Sequence, residues 1–203
     1  MEHYWRSLPG PVWFSATSIY KQQVARARPK AAFVELGAWK GRSTVFMAVE
    51  IINSGKDIDF YTVDHWLGSA ETEHHRDADA IAGRLFSVFM ANIAPVRSHV
   101  IPIQGVSTEV AANFADNSVD FIYLDAGHDY ASVRADLEAW WPKLHPEGII
   151  AGDDWCFVDN DNQRSVARAV SEFFAPLNRR VVIEPGEPNP EWSQWIVEKG
   201  QNS

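Results

Sequence analysis

"FVELGAWKGRST", residues 33–44, runs a hydrophobic strand into two glycines and then into a hydroxyl-rich helix start. A buried strand, a turn flanked by Gly37 and Gly41, and a helix form the opening unit of an α/β sheet, whose carboxyl edge leaves a ligand crevice. The helix start offers free backbone N–H groups to an anion, and Ser43 adds a hydroxyl donor. A dinucleotide is the first ligand to weigh. Its glycine fingerprint requires glycine where this chain has Trp39, and an indole there obstructs close approach to a pyrophosphate.

Outward from this unit, strand-like and helix-like runs alternate, as in a mostly parallel sheet covered by helices. The strands are "AAFVEL" (31–36), "IDFYTVD" (58–64), "HVIPIQ" (99–104), "VDFIYLD" (119–125), "GIIAGD" (148–153), "RVVIE" (180–184) and "SQWIVEK" (193–199). Val133, Leu137, Trp140 and Leu144 mark one apolar helix face, and Val166, Val170, Phe173 and Phe174 another. "EPGEPNPEW" (184–192) reads as a turn, so the last two strands form an antiparallel hairpin. The expected fold is therefore Rossmann-like: a doubly wound, mostly parallel seven-stranded sheet with an antiparallel C-terminal hairpin and helices on both faces. The expected organisation is one domain over 1–203, with residues 1–30 a helical appendage ending near Pro29 and 31–199 the core.

The whole chain narrows the partners. Its 203 residues suit one domain, and 46% hydrophobic with 22% charged residues is a globular balance. A net charge of -9 without a basic stripe argues against nucleic acid. No apolar run is long enough for a bilayer, and "MEHYWRSLPGPVWF" has no basic leader into an apolar segment, so no membrane partner and a cytoplasmic location are expected. One cysteine, Cys156, excludes an internal disulfide and a multi-cysteine zinc site. Trp5, Trp13 and Phe14 suit a substrate cover or a homodimer contact.

Other strand ends carry chemistry. Asp64 ends the second strand, where a carboxylate can accept both hydroxyls of a ribose. "HWLGS" follows, and Trp66 can lie against an adenine, although most of the nine tryptophans must be core or surface. "GVS" brings Ser107 to the same edge. Asp125 ends the fourth strand, and Asp153 and Asp154 end the fifth. Adjacent strands present their carboxyl ends side by side, so these acids can converge, and a hard divalent cation takes such oxygen ligands. Mg²⁺ suits the set best, with Mn²⁺ and Ca²⁺ as alternatives. Taken singly, "LDAGHDY" and "GDDW" read as polar turns and helix caps; together they read as a site.

The series "VELGAWKGRST", Asp64, "GVS", "DFIYLDAGHDY" and "AGDDW" resembles class I S-adenosylmethionine-dependent methyltransferases over about residues 31–199. More narrowly it resembles metal-dependent O-methyltransferases, both the catechol type and the bacterial macrocin O-methyltransferase-like enzymes. The resemblance implies that Glu35, Gly37 and Ser43 hold the methionine end of the cofactor, Asp64 the ribose and Ser107 the adenine side. The full expected cofactor set adds Ala38, Trp39, Gly41, His65, Trp66 and Asp125. The expected metal ligands are Asp125, Asp153 and Asp154.

Asp125 and His128 are the expected catalytic residues. A cation lowers the pKa of a coordinated substrate oxygen and directs its approach, and His128 has a suitable ordinary pKa for a base. Catechol-type enzymes carry a lysine in this region. The expected activity is methylation of a small-molecule hydroxyl, on a sugar or natural product rather than a catechol, a preference taken from the bacterial resemblance. The competing readings are a hydroxylase-like relative and a non-catalytic adenosyl-ligand binder. "HHRDAD" (74–79) fits a substrate cover better than a metal cluster, since its spacing matches no structural zinc pattern. "DNDNQRS" (159–165) offers Gln163 and Arg164 as substrate contacts, or Asn160, Asp161 or Asn162 as helix caps.

Overall fold

The computed structural model describes residues 1–68, 76–159, 162–186 and 192–200. Seven strands form one sheet: β1 (Ala31–Leu36), β2 (Ile58–Asp64), β3 (Ile101–Gln104), β4 (Val119–Leu124), β5 (Leu144–Gly152), β6 (Val182–Glu184) and β7 (Gln194–Glu198). Their order is β3-β2-β1-β4-β5-β7-β6. The pairs among β1 to β5 are parallel, whereas β7 is antiparallel to both β5 and β6. The order reverses between β1 and β4. At such a switch point the crossovers leave to opposite faces and a crevice opens above the strand ends.

The sheet divides two cores by the period-two alternation of its strands. Phe33, Phe60, Phe121, Tyr123 and Ile149 face one layer, built by α1 (Thr17–Arg26), α2 (Arg42–Ser54) and α4 (Leu85–Asn92). Val34, Leu36, Val63, Ile122, Leu124 and Ile150 face the other, which includes α6 (Tyr130–Trp140) and α7 (Ser165–Phe174). Among the described residues, no helix is long and apolar enough to cross a membrane.

Three strands start two or more residues away from the sequence expectation, whereas β4 and β7 differ by one residue at one or both ends. β3 starts at Ile101 because Ala94–His99 forms a 3-10 turn. β5 starts early, at Leu144, through a register irregularity opposite Val119 and Phe121. β6 spans only Val182–Glu184.

Several residues of the N-terminal segment pack into the core. Trp5, Phe14, Ile19 and Tyr20 are at most 6% exposed. Phe14 lies 5.4 Å from Phe46 of α2, and Tyr20 lies edge-on to Tyr123 of β4 at 4.9 Å. The segment's backbone carbonyls need donors once it is laid down. Arg42, the first residue of α2, supplies them: Nη1 donates to Trp5 O at 2.6 Å, and Nη2 donates to Leu8 O at 2.7 Å and Gly10 O at 2.9 Å. One planar guanidinium thus ties residues 5–10 to the helix that begins at the glycine turn.

Arg42→Met keeps the apolar stem and removes these charge-assisted bonds. It is expected to lower the unfolding free energy by about 2–3 kcal/mol in urea denaturation; an unchanged midpoint would refute the role assigned to Arg42.

Candidate active site

The site begins where β1 ends. Gly37 has φ +86°, and a Cβ there would lie 1.8 Å from the backbone oxygen of Asp125. Only glycine lets the β1 turn press against the end of β4 this closely. The contact is pinned on both sides, with Asp125 N donating to Leu36 O at 2.8 Å and Gly37 N donating to Val63 O at 2.9 Å. Gly41, at φ +85°, starts α2 over Phe89, where a Cβ would meet the ring at 2.9 Å.

Between the glycines, Trp39 takes a left-handed φ of +49°, a conformation that costs a non-glycine residue of order 1–3 kcal/mol. Asp64 offsets that cost. Its Oδ2 accepts from Ala38 N at 2.8 Å and Trp39 N at 2.9 Å, and its Oδ1 accepts from Trp66 N at 2.6 Å. A carboxylate offers about four acceptor positions, and Asp64 uses three of them to brace the turn. The Trp66 indole N–H donates to Trp39 O at 3.0 Å.

Trp66 is itself 3% exposed and packs against Phe86 and Phe89 at 4.8 and 4.7 Å. It forms a wall of the turn. Its neighbour His65 has the accessible ring, with the side chain 44% exposed and Nδ1 accepting from Leu67 N at 2.9 Å. Trp39 lies against Trp13 at 5.9 Å and within 4.0 Å of where a Gly68 Cβ would stand.

Glu35 is buried in the core. Tyr20 OH donates to its Oε1 at 3.0 Å, and Thr44 Oγ1 and Thr62 Oγ1 donate to its Oε2. Burial raises its pKa to about 7, against the lowering effect of the hydroxyls. Ser43, 7% exposed, stands beside it at the start of α2. Ser107 begins α5 (Ser107–Val110); its hydroxyl donates to Asp136 of α6, and its carbonyl accepts from Trp140 Nε1 at 3.1 Å.

The β4 and β5 ends converge. One ligand atom each from Asp125, His128 and Asp154 lies within 4.8 Å of the others. His128 Nε2 is 2.9 Å from Asp154 Oδ2 and 3.5 Å from Asp125 Oδ1. Asp154 adopts φ +61°, which swings its carboxylate toward the histidine. Of the three expected acids, Asp125 and Asp154 are in this group together with His128, and Asp153 is not. Asp153 is 8% exposed, and its Oδ1 accepts from Gln194 Nε2 at 3.1 Å and from Asp154 N at 3.0 Å. Burial, then repulsion from Asp125 and Asp154, pushes its pKa well above the usual carboxylate range.

Several partners were not legible from spacing. Gln194 on β7 joins Asp153 to Ser15, donating to Ser15 Oγ at 2.6 Å. Lys40 Nζ is clasped by Asp77 at 2.7 Å and Asp79 at 2.8 Å. The described acids of "HHRDAD" therefore pair with a lysine of the turn, while His74 and His75 lie outside the described residues. The signal was an N-cap: Asp77 also caps α3 (Ala78–Ile81), accepting from Asp79 N and Ala80 N. In "DNDNQRS", Asp159 accepts from Gln163 N at 2.9 Å and Gln163 and Arg164 are exposed; Asn160 and Asp161 lie outside the described residues. Two clefts of about 200 and 240 Å³ lie elsewhere, one between α1 and the hairpin and one at the starts of β2 and β3. Neither contains this cluster, so chemistry and not cleft volume places the site.

A glycine turn at the switch point, an acid at the end of β2 and an acid–histidine cluster thus lie along the edge where an open α/β sheet binds ligands. A family model described as a methyltransferase domain matches residues 34–155. The chain belongs to this family and has the fold of class I S-adenosylmethionine-dependent methyltransferases. Among curated proteins, the uncharacterized protein y4gI of Sinorhizobium fredii (strain NBRC 101917 / NGR234) is 27% identical over 146 residues, which is 72% of this chain and 15% of that protein. The chain thus spans about one seventh of that relative's length. The fold is shared with cofactor-bound Rv0187 from MTB (TM-score 0.67, 15% identity, 98% of this chain and 87% of that one). It is shared too with the O-methyltransferase NovP (0.64, 15%, 91% and 79%) and an O-methyltransferase from Bacillus cereus in complex with SAH (0.61, 17%, 96% and 86%).

Two outcomes follow from the turn. Asp64→Ala removes the acceptor for three backbone amides and is expected to weaken S-adenosylhomocysteine binding by about 1–3 kcal/mol in calorimetry; equal affinity would contradict the bracing role. Glu35 has a folded pKa raised to about 7 from 4.5. Its burial is therefore fully tolerated below pH 4.5 and becomes costlier as pH rises through 7. Wild-type protein should lose roughly 2–4 kcal/mol more than Glu35→Gln between pH 4.5 and pH 8 in urea denaturation. Parallel pH curves would contradict it.

Proposed function

We propose that the protein is an O-methyltransferase that transfers the sulfonium methyl of S-adenosylmethionine to a hydroxyl of a ring-bearing small molecule, assisted by a divalent cation. The observation that carries this reading is the Asp125–His128–Asp154 cluster beside the Gly37 turn. Two carboxylates and one imidazole fit a cation, and the mixed oxygen–nitrogen set suits Mn²⁺, Fe²⁺ or Zn²⁺ better than the Mg²⁺ expected from three acids. When bound, such a cation polarises the acceptor hydroxyl and offsets the charge of the acids.

The chain's own groups do the rest. The β1 turn positions the cofactor, and the adjoining β4 end faces the acceptor oxygen toward its methyl group. His128 and the two carboxylates would hold the cation, and the hydroxyl proton passes to solvent as the new O–C bond forms and the C–S bond breaks. The products are a methyl ether, S-adenosylhomocysteine and a proton passed on to solvent. Asp153, buried under the cluster and hydrogen-bonded to Gln194, fixes the strand end that aims Asp154.

The acceptor class is supported by two indoles. Trp13 and Trp192 are each 38% exposed. They belong to the chain segments joined near Asp153, since Ser15 Oγ and Gln194 Nε2 both donate to Trp192 O. Exposed indoles suit the face of a sugar or a fused-ring acceptor.

Mass spectrometry with a hydroxyl-compound library, S-adenosylmethionine and Mn²⁺ or Mg²⁺ tests the reading: a product heavier by one methylene is expected. A gain of one oxygen would replace it with a hydroxylase, and cofactor binding without any turnover would replace it with a binding module. Asp154→Ala is expected to lower metal-stimulated turnover at least about 100-fold while S-adenosylhomocysteine affinity stays within about threefold of wild type.

A further inference from the structure

One buried acid in this half of the molecule is unused by the reaction above. Asp136 lies on α6, 3% exposed, and accepts the hydroxyl proton of Ser107. A buried carboxylate on a packed helix face costs stability that an apolar residue would not. Its position invites a functional account.

The sheet order supplies one. The acid–histidine cluster stands over β4 and β5, the glycine turn over β1 and Asp64 over β2. A nucleoside cofactor whose sulfonium faces the cluster therefore extends the other way, and its base lies over β2 and β3. From β4 to β3 is three strand spacings, about 14 Å. Among the described residues, polar side chains at that far edge include His65, Gln104 and Ser107. Gln104 Nε2 donates to His65 O at 3.3 Å, and His65 Nδ1 is taken by Leu67 N. Ser107 differs from both, because a third group fixes its hydrogen.

We propose that Asp136 is a positioning residue that makes Ser107 an obligate hydrogen-bond acceptor and so selects a cofactor base bearing an amino group. An ionised carboxylate only accepts, so the one O–H proton of Ser107 is committed to Asp136 and the remaining Oγ lone pairs are left to act as acceptors. Trp140 Nε1 holds the Ser107 carbonyl and prevents the residue from turning. Burial raises the Asp136 pKa to about 6, against the Ser107 bond and helped by Asp129, so the carboxylate form prevails at neutral pH and above. The amino group of adenine donates to such an oxygen. The keto oxygen of a 6-oxo purine meets it acceptor to acceptor, and a site with a mismatched buried polar group rejects its ligand strongly.

This inference rests on the cofactor lying across β1 and β2, and the test separates the two. Calorimetry at pH 7.5 compares S-adenosylhomocysteine with its deaminated 6-oxo counterpart, S-inosylhomocysteine, on wild type, Asp136→Asn and Ser107→Ala. Wild type should prefer the adenosyl ligand by about tenfold or more. In Asp136→Asn the amide can donate to Ser107 and free its proton, so the preference should shrink to within about threefold or reverse. Ser107→Ala should likewise erase it, which keeps the proposal testable if Asp136→Asn folds poorly. A purely structural Asp136 would leave the ratio of the two affinities unchanged while lowering both affinities or the melting temperature, and that result overturns the proposal. Equal binding of the two ligands by wild type overturns it too while leaving the cofactor reading intact. Binding of neither ligand by wild type would instead remove the cofactor reading and the inference together.

Discussion

The structure depends on one approach that excludes a side chain. At Gly37 the β1 turn meets the backbone of Asp125 so closely that a Cβ would overlap its carbonyl oxygen. Asp125 N completes the contact by donating to Leu36 O. Because of it, a turn that can hold a cofactor and a strand end that carries the acids are one continuous surface. Any residue with a side chain at 37 would separate them by more than an ångström, a displacement large enough to disturb alignment in a displacement reaction.

Around that contact the chain uses polar groups as braces. Asp64 gathers three backbone amides of the turns after β1 and β2. Lys40 holds Asp77 and Asp79, and Arg42 holds the carbonyls of residues 5–10. Trp39, Lys40 and Arg42 of "LGAWKGRST" thus serve support: a strained indole, a buried ammonium and a buried guanidinium. The N-terminal segment enters the same network through Tyr20 and Glu35 on one side, and through Ser15 and Gln194 on the other. A site that is built from β-strand ends gains its rigidity here from the helix layer.

Much of the fold was legible because its signals are local. Strand runs such as "AAFVEL" and "IDFYTVD" coincide with β1 and β2, and the proline-rich 184–192 segment announced the hairpin of β6 and β7. The site was legible only in outline. Strand-end acids can be located from sequence, but which way each points depends on a single dihedral: φ +61° at Asp154 turns its carboxylate toward His128, while Asp153 turns to Gln194. Trp66 and the N-terminal aromatics are ambiguous for a similar reason. An indole beside a strand end can cover a ligand or fill a core, and only the positions of Phe86 and Phe89 decide. Asp136 and Gln194 carry no motif at all, since their partners are 29 and 41 residues away.

The central claim is that the β1 turn and the β4–β5 acids form a single site for a sulfonium cofactor and a cation. Anomalous diffraction from crystals grown with Mn²⁺ and S-adenosylhomocysteine tests this most directly. The account requires a manganese peak bonded to Asp125, His128 and Asp154 at about 2.0–2.4 Å, with the ligand's sulfur beside Gly37 on the same side of the sheet. Manganese bound elsewhere, or the thioether lying away from the Gly37 turn while those three side chains remain unliganded, would contradict it.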